Sequence, residues 1–383
     1  MRKKVCIGDL GTVVTGKTPS KSNKAFYGDY ALFLKPTDIS ECCKFTYKTE
    51  EMFSQLAADK FASSLIPKGA ICIPCIGTIG TKMTMSHCEC YTNQSINSIV
   101  CNDKYDNEYV YYLMKNFLPN LKSYNLGTAS GREFISKSNF EKIEIIAEQD
   151  KNIQNKIGKF LSRYDSLIEN YQKQIKLLEE SAQRLYKEWF IDLRFPGYEN
   201  TKIVDGVPEG WEKKKVGDLI SKVLRTKQVS ANNYLNSGCI PVIDQSRNYI
   251  AGYTNDIESL VEVTIPYIVF GDHTRVLKYV PFSFAKGADG TQLIMSNDLE
   301  RMPQSLFYNS LIEIDLSNYS YARHFKYLKE ESILVPSKDI AQRYDKVVSQ
   351  YFKSIQKSRG QIHHLTEARD RLLPKLMNGE IEV

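Results

Sequence analysis

The sequence lacks a long hydrophobic run. Its longest apolar stretches, such as Ile265–Phe270, are the length of a β-strand and far short of the roughly 18–20 residues that span a bilayer. After the basic start Arg2-Lys3-Lys4, Gly8-Asp9 breaks the short apolar run Val5-Cys6-Ile7, so no apolar core of a signal peptide develops. The sequence therefore predicts a soluble protein in the cytoplasm rather than a membrane-spanning or secreted one.

Strong charge and an even set of cysteines are missing as well. Lys and Arg number 51 against 45 Asp and Glu, and the net charge of +6 permits a polyanionic partner without requiring one. The nine cysteines are an odd set, which is unlike a secreted disulfide scaffold and favours a reduced, intracellular protein. A length of 383 residues predicts two to three domains.

Motifs for catalysis are also absent. The chain has neither the glycine-rich cofactor loop nor the Asn-Pro-Pro-aromatic motif expected of a DNA methyltransferase, and its five histidines are scattered. Gly11–Thr18 matches the spacing of a phosphate-binding loop, but Thr18-Pro19-Ser20 continues into a polar loop instead of opening a helix. We therefore predict a chain without catalytic residues.

Four cysteines have a spacing that raises the question of zinc. Cys72, Cys75, Cys88 and Cys90 are residue types that bind it. The first two lie in an apolar run that is typical of a strand, where cysteine behaves as a small hydrophobic residue. We predict core cysteines and no metal, with zinc as the alternative.

Two strand-rich regions alternate with two helical ones. Short β-branched and aromatic runs fill residues 1–147 and 193–337, and a helix is predicted at Asn107–Phe117 inside the first. Residues 148–192 and 338–383 instead show apolar positions at coiled-coil spacing. This predicts an α+β fold in which two strand-rich domains are separated by long helices that pair as an antiparallel coiled coil.

The two helices carry narrow apolar seams with steps of three and four residues, so each requires a partner helix. The first seam consists of Ile153, Ile157, Phe160, Tyr164, Leu167, Tyr171, Ile175, Leu178, Ala182, Leu185 and Trp189. The second consists of Val348, Tyr351, Ile355, Ser358, Ile362, Leu365, Arg369, Leu372 and Leu376. Ser358 and Arg369 are polar positions that could fix the register, and Pro374 is expected to kink or end the second helix.

An internal repeat relates the two halves of the chain. Val5–Leu10 opens the first strand-rich region, and the similar Lys215–Leu219 opens the second. Ile175, Leu178, Glu180, Arg184 and Leu185 recur as Ile362, Leu365, Glu367, Arg371 and Leu372. If the helices pair antiparallel, a pseudo-twofold axis is expected to relate the two domains.

Short motifs follow one another along the whole chain. They are Gly16-Lys17-Thr18-Pro19-Ser20, Gly28-Asp29-Tyr30, Lys35-Pro36-Thr37-Asp38-Ile39, Gly77-Thr78-Ile79-Gly80, Asn93-Gln94-Ser95, Val207-Pro208-Glu209-Gly210-Trp211, Val216-Gly217-Asp218-Leu219 and Leu372-Leu373-Pro374-Lys375-Leu376-Met377-Asn378-Gly379-Glu380-Ile381. Together they resemble the specificity (S) subunit of type I DNA restriction–modification systems. The second region has Arg225-Thr226-Lys227-Gln228 where the first has Gly-Lys-Thr-Pro, so the two domains are expected to recognise different sequences.

The resemblance implies a non-catalytic DNA-recognition subunit. Each domain would read one half of a bipartite, asymmetric site, and the helices would set the spacing and dock two methyltransferase (M) subunits. Restriction (R) subunits would join the complex, with S-adenosylmethionine, ATP and Mg on the partner subunits and no cofactor in this chain. A helix of roughly 54 Å is of the order of one DNA turn, about 34–36 Å.

Basic and amide residues beside turns are the candidates for DNA contact, because Arg and Lys suit guanine edges, Asn and Gln suit adenine, and most basic contacts hold phosphates. In the first domain they are Lys17, Thr78, Lys82 and, in the loop Gly127–Arg132, Ser130 and Arg132. In the second they are His273, Thr274 and Arg275 beside Asp272, together with Lys286 and Arg323. A solvated surface role is the alternative for each.

Two other functions remain open from the residues alone. A single-chain DNA-modification enzyme would transfer methyl groups without partners. A coiled-coil scaffold would show no DNA affinity, whereas a DNA-binding chain should lose affinity steeply as salt rises.

Overall fold

The computed structural model describes residues 1–41, 43–125, 127, 133–223, 226–319 and 323–382. The chain forms two compact units. Unit 1 comprises Met1–Gln172 and Gly360–Val383, and unit 2 comprises Lys173–Arg359. The division falls inside two long helices, so each unit contains one segment of either helix.

Unit 1 consists of small sheets and short helices. Its strands are β1 (Arg2–Cys6), β2 (Gly11–Thr15), β3 (Tyr27–Leu34), β4 (Met52–Phe53), β5 (Ile71–Pro74), β6 (Thr84–Met85), β7 (Cys90–Thr92), β8 (Ile96–Cys101) and β9 (Glu144–Glu148), and its short helices are α1 (Gln55–Lys60), α2 (Asn107–Phe117) and α3 (Lys137–Glu141). The strands form the pair β1-β9, the sheet β2-β8-β5-β6 and the sheet β4-β3-β7. Strands β3 and β7 are parallel, and α2 has the bounds predicted from its apolar spacing.

Unit 2 follows the same plan. Its strands are β10 (Ile203–Val204), β11 (Val207–Pro208), β12 (Glu212–Lys215), β13 (Ile240–Ile243), β14 (Gly252–Thr254), β15 (Leu260–Val261), β16 (Tyr267–Gly271), β17 (Leu277–Val280), β18 (Phe284–Lys286), β19 (Thr291–Ile294) and β20 (Ser332–Val335). Its short helices are α5 (Val216–Leu219), α6 (Gln304–Ile312) and α7 (His324–Glu330). The sheets are β10-β11, β12-β20, β14-β13-β18-β15 and β17-β16-β19.

The repeat predicted from Val5–Leu10 and Lys215–Leu219 is confirmed in the topology. Strand β1 pairs with β9 and is followed by a 3-10 turn at Ile7–Leu10, as β12 pairs with β20 and is followed by α5. The parallel pair β3-β7 corresponds to β13-β18. Strand β5 lies between β6 and β8 as β16 lies between β17 and β19. Each unit therefore presents equivalent loops at the ends of equivalent strands.

The long helices are α4 (Lys151–Tyr186), which continues as a π-helix over Lys187–Ile191, and α8 (Lys338–Asn378). Within unit 2, Ser358 Oγ donates to Gln174 Oε1 over 3.3 Å, and Tyr344 donates to the Ala182 carbonyl over 3.3 Å. Residue numbers rise along one helix as they fall along the other. The helices are therefore antiparallel in this unit, as predicted.

The helix segments of each unit share its core with the strands. Ile157 and Ile355 are buried, in the cores of unit 1 and unit 2 respectively. Of the predicted seam residues, those that are partly buried and pack against these cores are Phe160 and Leu372 in unit 1 and Ile175, Leu178, Leu185, Trp189 and Tyr351 in unit 2. Tyr164, Ile362 and Leu365 are half-buried.

The buried face of α4 in unit 1 lies one residue away from the predicted seam. Leu161, Asp165 and Ile168 are buried, whereas Leu167, which the seam included, is 47% exposed. Asp165 can lie on this face because its carboxylate forms an ion pair with Arg369 of α8. A seam predicted from apolar residues alone could not include the charged Asp165.

Pro374 does not end α8, contrary to one part of the prediction, since the helix runs to Asn378. A proline removes a single backbone donor, and the following four residues still continue the helix. Leu373, Leu376 and Met377 on both sides of it are buried in the core of unit 1. This burial holds the final turn in place.

Three of the four cysteines predicted to lie in the core are there, whereas Cys88 is half-buried. Cys72, Cys75 and Cys90 are at most 2% exposed and belong to the apolar clusters of unit 1. Burial raises the pKa of Cys75 to about 12, which keeps its thiol protonated. Over the described ranges, no helix combines the length and the apolar character needed to cross a membrane.

Candidate nucleic-acid interface

In unit 1, polar loops meet at the ends of β2, β3, β5 and β7. The backbone N–H of Lys17 donates to the Thr92 carbonyl over 3.0 Å, and that of Asn93 donates to Leu34 over 3.0 Å. The N–H of Cys75 donates to Ser95 over 2.7 Å. We call the segments 16–18, 35–38, 76–80 and 93–95 the unit 1 loop cluster.

Gly16 allows the first of these loops to approach its neighbour. A Cβ at this position would overlap the backbone carbonyl of Thr92, so only glycine fits. The loop after Gly16 is also held against segment 93–95, since Thr18 Oγ1 donates to Gln94 Oε1. Lys17 itself is exposed and free to reach a ligand.

Thr78, the second candidate in unit 1, is exposed in a turn that Glu133 holds. The N–H of Gly77 donates to the Glu133 carbonyl over 3.0 Å, and the N–H of Ile79 donates to its carboxylate over 3.3 Å. Lys82 is half-buried further along, before β6. Ser130 and Arg132 lie outside the described residues.

In unit 2 the candidates His273 and Thr274 lie in the tight turn between β16 and β17, and both are exposed. Asp272, just before them, is buried. Its carboxylate accepts from the Phe325 N–H over 2.8 Å and its carbonyl accepts from the His324 N–H over 3.0 Å. Asp272 thereby holds the start of α7 beside this turn. The exposed candidate Arg323 is the residue immediately before that helix.

Arg275 and Lys286 are less free than the sequence suggested. Arg275 is exposed, but it adopts a left-handed backbone with φ of 60° and its Nη1 donates to the Leu316 carbonyl over 3.0 Å. Lys286, at the end of β18, is half-buried, and burial lowers its pKa. A buried ammonium gains from a phosphate or another anion that restores the lost solvation.

Sequence reasoning missed Gln245 and Arg247, which follow β13. Gln245 contacts the His273–Thr274 turn, with its Oε1 accepting from the His273 N–H over 3.1 Å. Arg247 is exposed in the same segment. Both obey the rule that selected the other candidates, since amide and basic residues here directly follow a buried strand. We call segments 244–248, 272–275 and 286–290 the unit 2 loop cluster.

Lys278 supports this cluster from the protein interior. Its side chain is 4% exposed, and Nζ donates to the carbonyls of Asp244 over 2.7 Å and Asn248 over 2.5 Å. Burial lowers the pKa of Lys278 to about 8, although Asp244, 3.7 Å away, favours its charged form. The loop that carries Gln245 and Arg247 is therefore closed around a buried amine.

The chemistry that these clusters offer is hydrogen bonding to an anion or a polar edge. Lys17, Arg247 and Arg323 are exposed cations, and Thr78 and His273 are exposed polar groups beside them. Cations of this kind contact phosphates, and donors on loops can enter a groove. In the part of the chain that the structure describes, no group of three or more His, Cys, Asp and Glu side chains could hold a metal ion.

Comparison with known sequences gives the same picture. Residues 2–180 match the family model described as the Type I restriction modification DNA specificity domain. The Type I restriction enzyme MjaIX specificity subunit of Methanocaldococcus jannaschii is 27% identical over 411 aligned residues, which cover 98% of this chain and 93% of that protein. The HindI specificity subunit of Haemophilus influenzae is 35% identical over 176 residues, covering 45% of this chain and 38% of its own.

A solved structure shares the fold over nearly the full length. It is the S subunit of a type I restriction–modification system from M. genitalium, with a TM-score of 0.57 and 17% sequence identity, and the match covers 98% of this chain and 96% of the other. The family motifs occur in order along the chain, and the two strand-rich units share their principal strand pairings. Residues 2–180 therefore match the type I restriction modification DNA specificity domain, and nearly the whole chain is similar in sequence to a type I specificity subunit.

Proposed function

We propose that each unit of this chain reads one half of a bipartite, asymmetric DNA site. The observation that carries the proposal is the repeat itself. Two copies of one topology each end in a cluster of polar loops, and the residues at equivalent turns differ, as in Gly77-Thr78 against Thr274-Arg275. Equivalent scaffolds with different loop residues are suited to two different half-sites.

The loop residues fall into two kinds of contact. Exposed cations such as Lys17, Arg247 and Arg323 hold phosphates and fix the position of each unit on the duplex. Polar side chains on the tight turns, Thr78 and His273, reach base edges in a groove. Ser130 and Arg132 are proposed to act in the same way. Because the net charge is only +6, partner subunits supply part of the affinity for DNA.

The long helices act as the spacer and as the docking site for two methyltransferase subunits. Helix α4 has 36 residues, which corresponds to about 54 Å and is of the order of a DNA turn. Restriction subunits complete the complex. This chain supplies no catalytic group in the proposal, and S-adenosylmethionine, ATP and Mg act on the partner subunits. A location in the cytoplasm, where the DNA is, follows from this role.

The test is genome-wide mapping of methylated adenines in the source organism with and without this gene. The proposal expects one asymmetric motif of two defined halves around an unspecified spacer, and its methylation should vanish when the gene is deleted. A methylation map that does not change on deletion would contradict it. Methyl transfer by the isolated chain, measured with radiolabelled cofactor, would instead favour a single-chain enzyme.

A further inference from the structure

Gln245 lies where the three segments of the unit 2 loop cluster meet. Its Oε1 accepts from the His273 N–H over 3.1 Å, and its Nε2 donates to the Asp289 carbonyl over 3.0 Å. Its backbone carbonyl accepts from Thr274 Oγ1 over 2.6 Å. One residue thus connects the loop after β13 with the turns after β16 and β18.

The close packing around the Gln245 amide leaves little room for its side chain to move. A Cβ added at Gly290 would lie 2.7 Å from the His273 ring and 2.8 and 2.9 Å from the two amide atoms of Gln245. A Cβ at Gly271 would lie 2.9 Å from Gln245 Cβ. Glycines on both neighbouring segments therefore make room for this one side chain. The contact is tight on each side of the amide.

The hydrogen bonds decide what Gln245 can do itself. One lone pair of the Gln245 amide oxygen is used by the His273 N–H, and one hydrogen of its amide nitrogen is used by the Asp289 carbonyl. These two bonds fix the orientation of the amide against its neighbouring loops. The half-buried Gln245 is thus suited to holding its neighbours, whereas the exposed side chain of His273 is left to meet DNA.

The loops that Gln245 joins carry strain that an anchor can offset. Asp289 has a φ of 46° and Arg275 a φ of 60°, in the left-handed region that costs an L-residue about 1–2 kcal/mol. Such residues keep their conformation only where the surroundings determine it. The Gln245 amide is bonded to Asp289 itself and to the turn that contains Arg275.

We propose that Gln245 is a positioning residue for base recognition by unit 2, fixing the His273–Thr274 turn against the Asp289–Gly290 turn. The inference rests on the proposed function of the chain. Preorganised groups lose less entropy on binding and discriminate between bases better than mobile ones. Loss of the amide is therefore expected to weaken discrimination between bases in one half-site while the chain stays folded.

The experiment uses the full chain assembled with the methyltransferase subunits of its own system. The complex selects from a pool of duplexes of randomised sequence, and its affinity for the selected site and for single-base variants is then measured. Gln245→Ala removes the amide. Gln245→Glu keeps the volume and the acceptor for His273 but cannot donate to Asp289. Gln55→Ala, at an exposed position of α1 outside both loop clusters and both long helices, is the matched control.

The expected result is a loss confined to one half-site. For Gln245→Ala, discrimination between bases in that half falls by about tenfold, as a single mismatch usually costs that order of affinity. For Gln245→Glu the discrimination falls less, and Gln55→Ala selects the original site. The melting temperature and the other half-site stay unchanged in all three.

Two results would overturn the inference. One is unchanged discrimination in both halves for Gln245→Ala and Gln245→Glu. The other is equal relaxation of both halves together with a lower melting temperature, because that would indicate a general loss of structure. If the unsubstituted complex selects no sequence at all, it is the proposed function that fails.

Discussion

In unit 1 the turn after β5 bends at two glycines, Gly77 with φ of 82° and Gly80 with φ of 73°, whereas the turn after β16 in unit 2 bends at Arg275. Glycine adopts this conformation at little cost, and arginine does not. The strain at Arg275 is accompanied by a side-chain bond to Leu316. Unit 1 uses glycines in this turn, whereas unit 2 uses an arginine whose side chain is held by a hydrogen bond. Equivalent strands therefore carry turns that differ in conformational freedom.

The two units also hold their helix segments differently. In unit 1, Asp165 pairs with Arg369 in a buried position and accepts a hydrogen bond from Tyr112. Burial alone would lower the pKa of Arg369, but Asp165 raises it overall. In unit 2, Tyr344 packs edge-on against Phe190 with 5.1 Å between the ring centres. A polar pair specifies one register, whereas aromatic packing supplies mainly buried area.

The largest effect is expected from replacing one reading unit. Exchange of residues 10–145 for the equivalent segment of another specificity subunit should replace one half of the methylated motif and leave the other half unchanged, because each unit has its own core. Adenine methylation mapping in cells that carry the hybrid measures both halves. A hybrid in which both halves change would contradict the independence of the units.

Lengthening the helices should alter the spacing alone. Seven residues inserted after Gln172 and seven after Arg359, where the two units divide, extend the pair by about 10 Å and nearly restore the helical phase. The spacer of the methylated motif is then expected to grow by up to about three base pairs. Retention of the original spacer would show that the helices do not set it. Insertion in one helix only is the control that should impair folding.

Removal of one member of the buried ion pair should destabilise unit 1 strongly. Arg369→Met leaves the Asp165 carboxylate buried without a cation, which costs about 3–5 kcal/mol. Ser358→Ala in unit 2 removes only one neutral hydrogen bond to Gln174 and should cost about 1 kcal/mol. Urea unfolding with hydrogen exchange read separately for peptides of each unit measures both.

The double variant Asp165→Leu with Arg369→Met tests the mechanism of that loss. Replacing a buried pair by apolar residues removes both desolvation costs. Since the Tyr112 hydroxyl then loses its acceptor, which costs about 1–3 kcal/mol, part of the stability should return. Equal instability of the single and the double variant would mean that the pair contributes through shape and not through charge. Protection of unit 2 peptides should stay the same in either variant.

Much of the fold followed from periodicity. Helix α2, both long helices and the repeat were predicted because each depends on residue spacing within one segment. The phase of α4 in unit 1 was wrong by one residue, since the contact face includes the charged Asp165. Its partner Arg369 lies 204 positions away, and no local pattern connects the two.

The loop clusters were predicted less completely for a similar reason. His273 and Thr274 were found because they stand beside a turn, but Gln245 lies in another loop, after β13, and meets them only in the folded chain. The contacts of Gln245 with His273 and Asp289 therefore depend on tertiary structure. The burial of Lys278 is equally invisible in the sequence, since its charge suggests a surface strand.

The smallest expected effect concerns Lys278, a buried lysine in unit 2 that should make the stability depend on pH. Its pKa is about 8 in the folded chain against 10.5 in an unfolded one, since burial disfavours the ammonium. Between these values the unfolded chain binds the proton and the folded chain has lost it, so stability rises with pH. The free energy of unfolding of the natural chain relative to Lys278→Met should therefore increase from pH 8 to 10.5 and stay constant below pH 8.

Urea unfolding of both proteins across that range measures this difference, and taking the difference cancels the titration of tyrosines and cysteines common to both. Lys346→Met, at an exposed position of α8, is the matched control and should show no such rise. A difference that falls with pH would mean that the ion pair with Asp244 outweighs burial. Because Lys278 bonds the carbonyls of Asp244 and Asn248, hydrogen exchange should report any loosening first in the loop that carries Gln245.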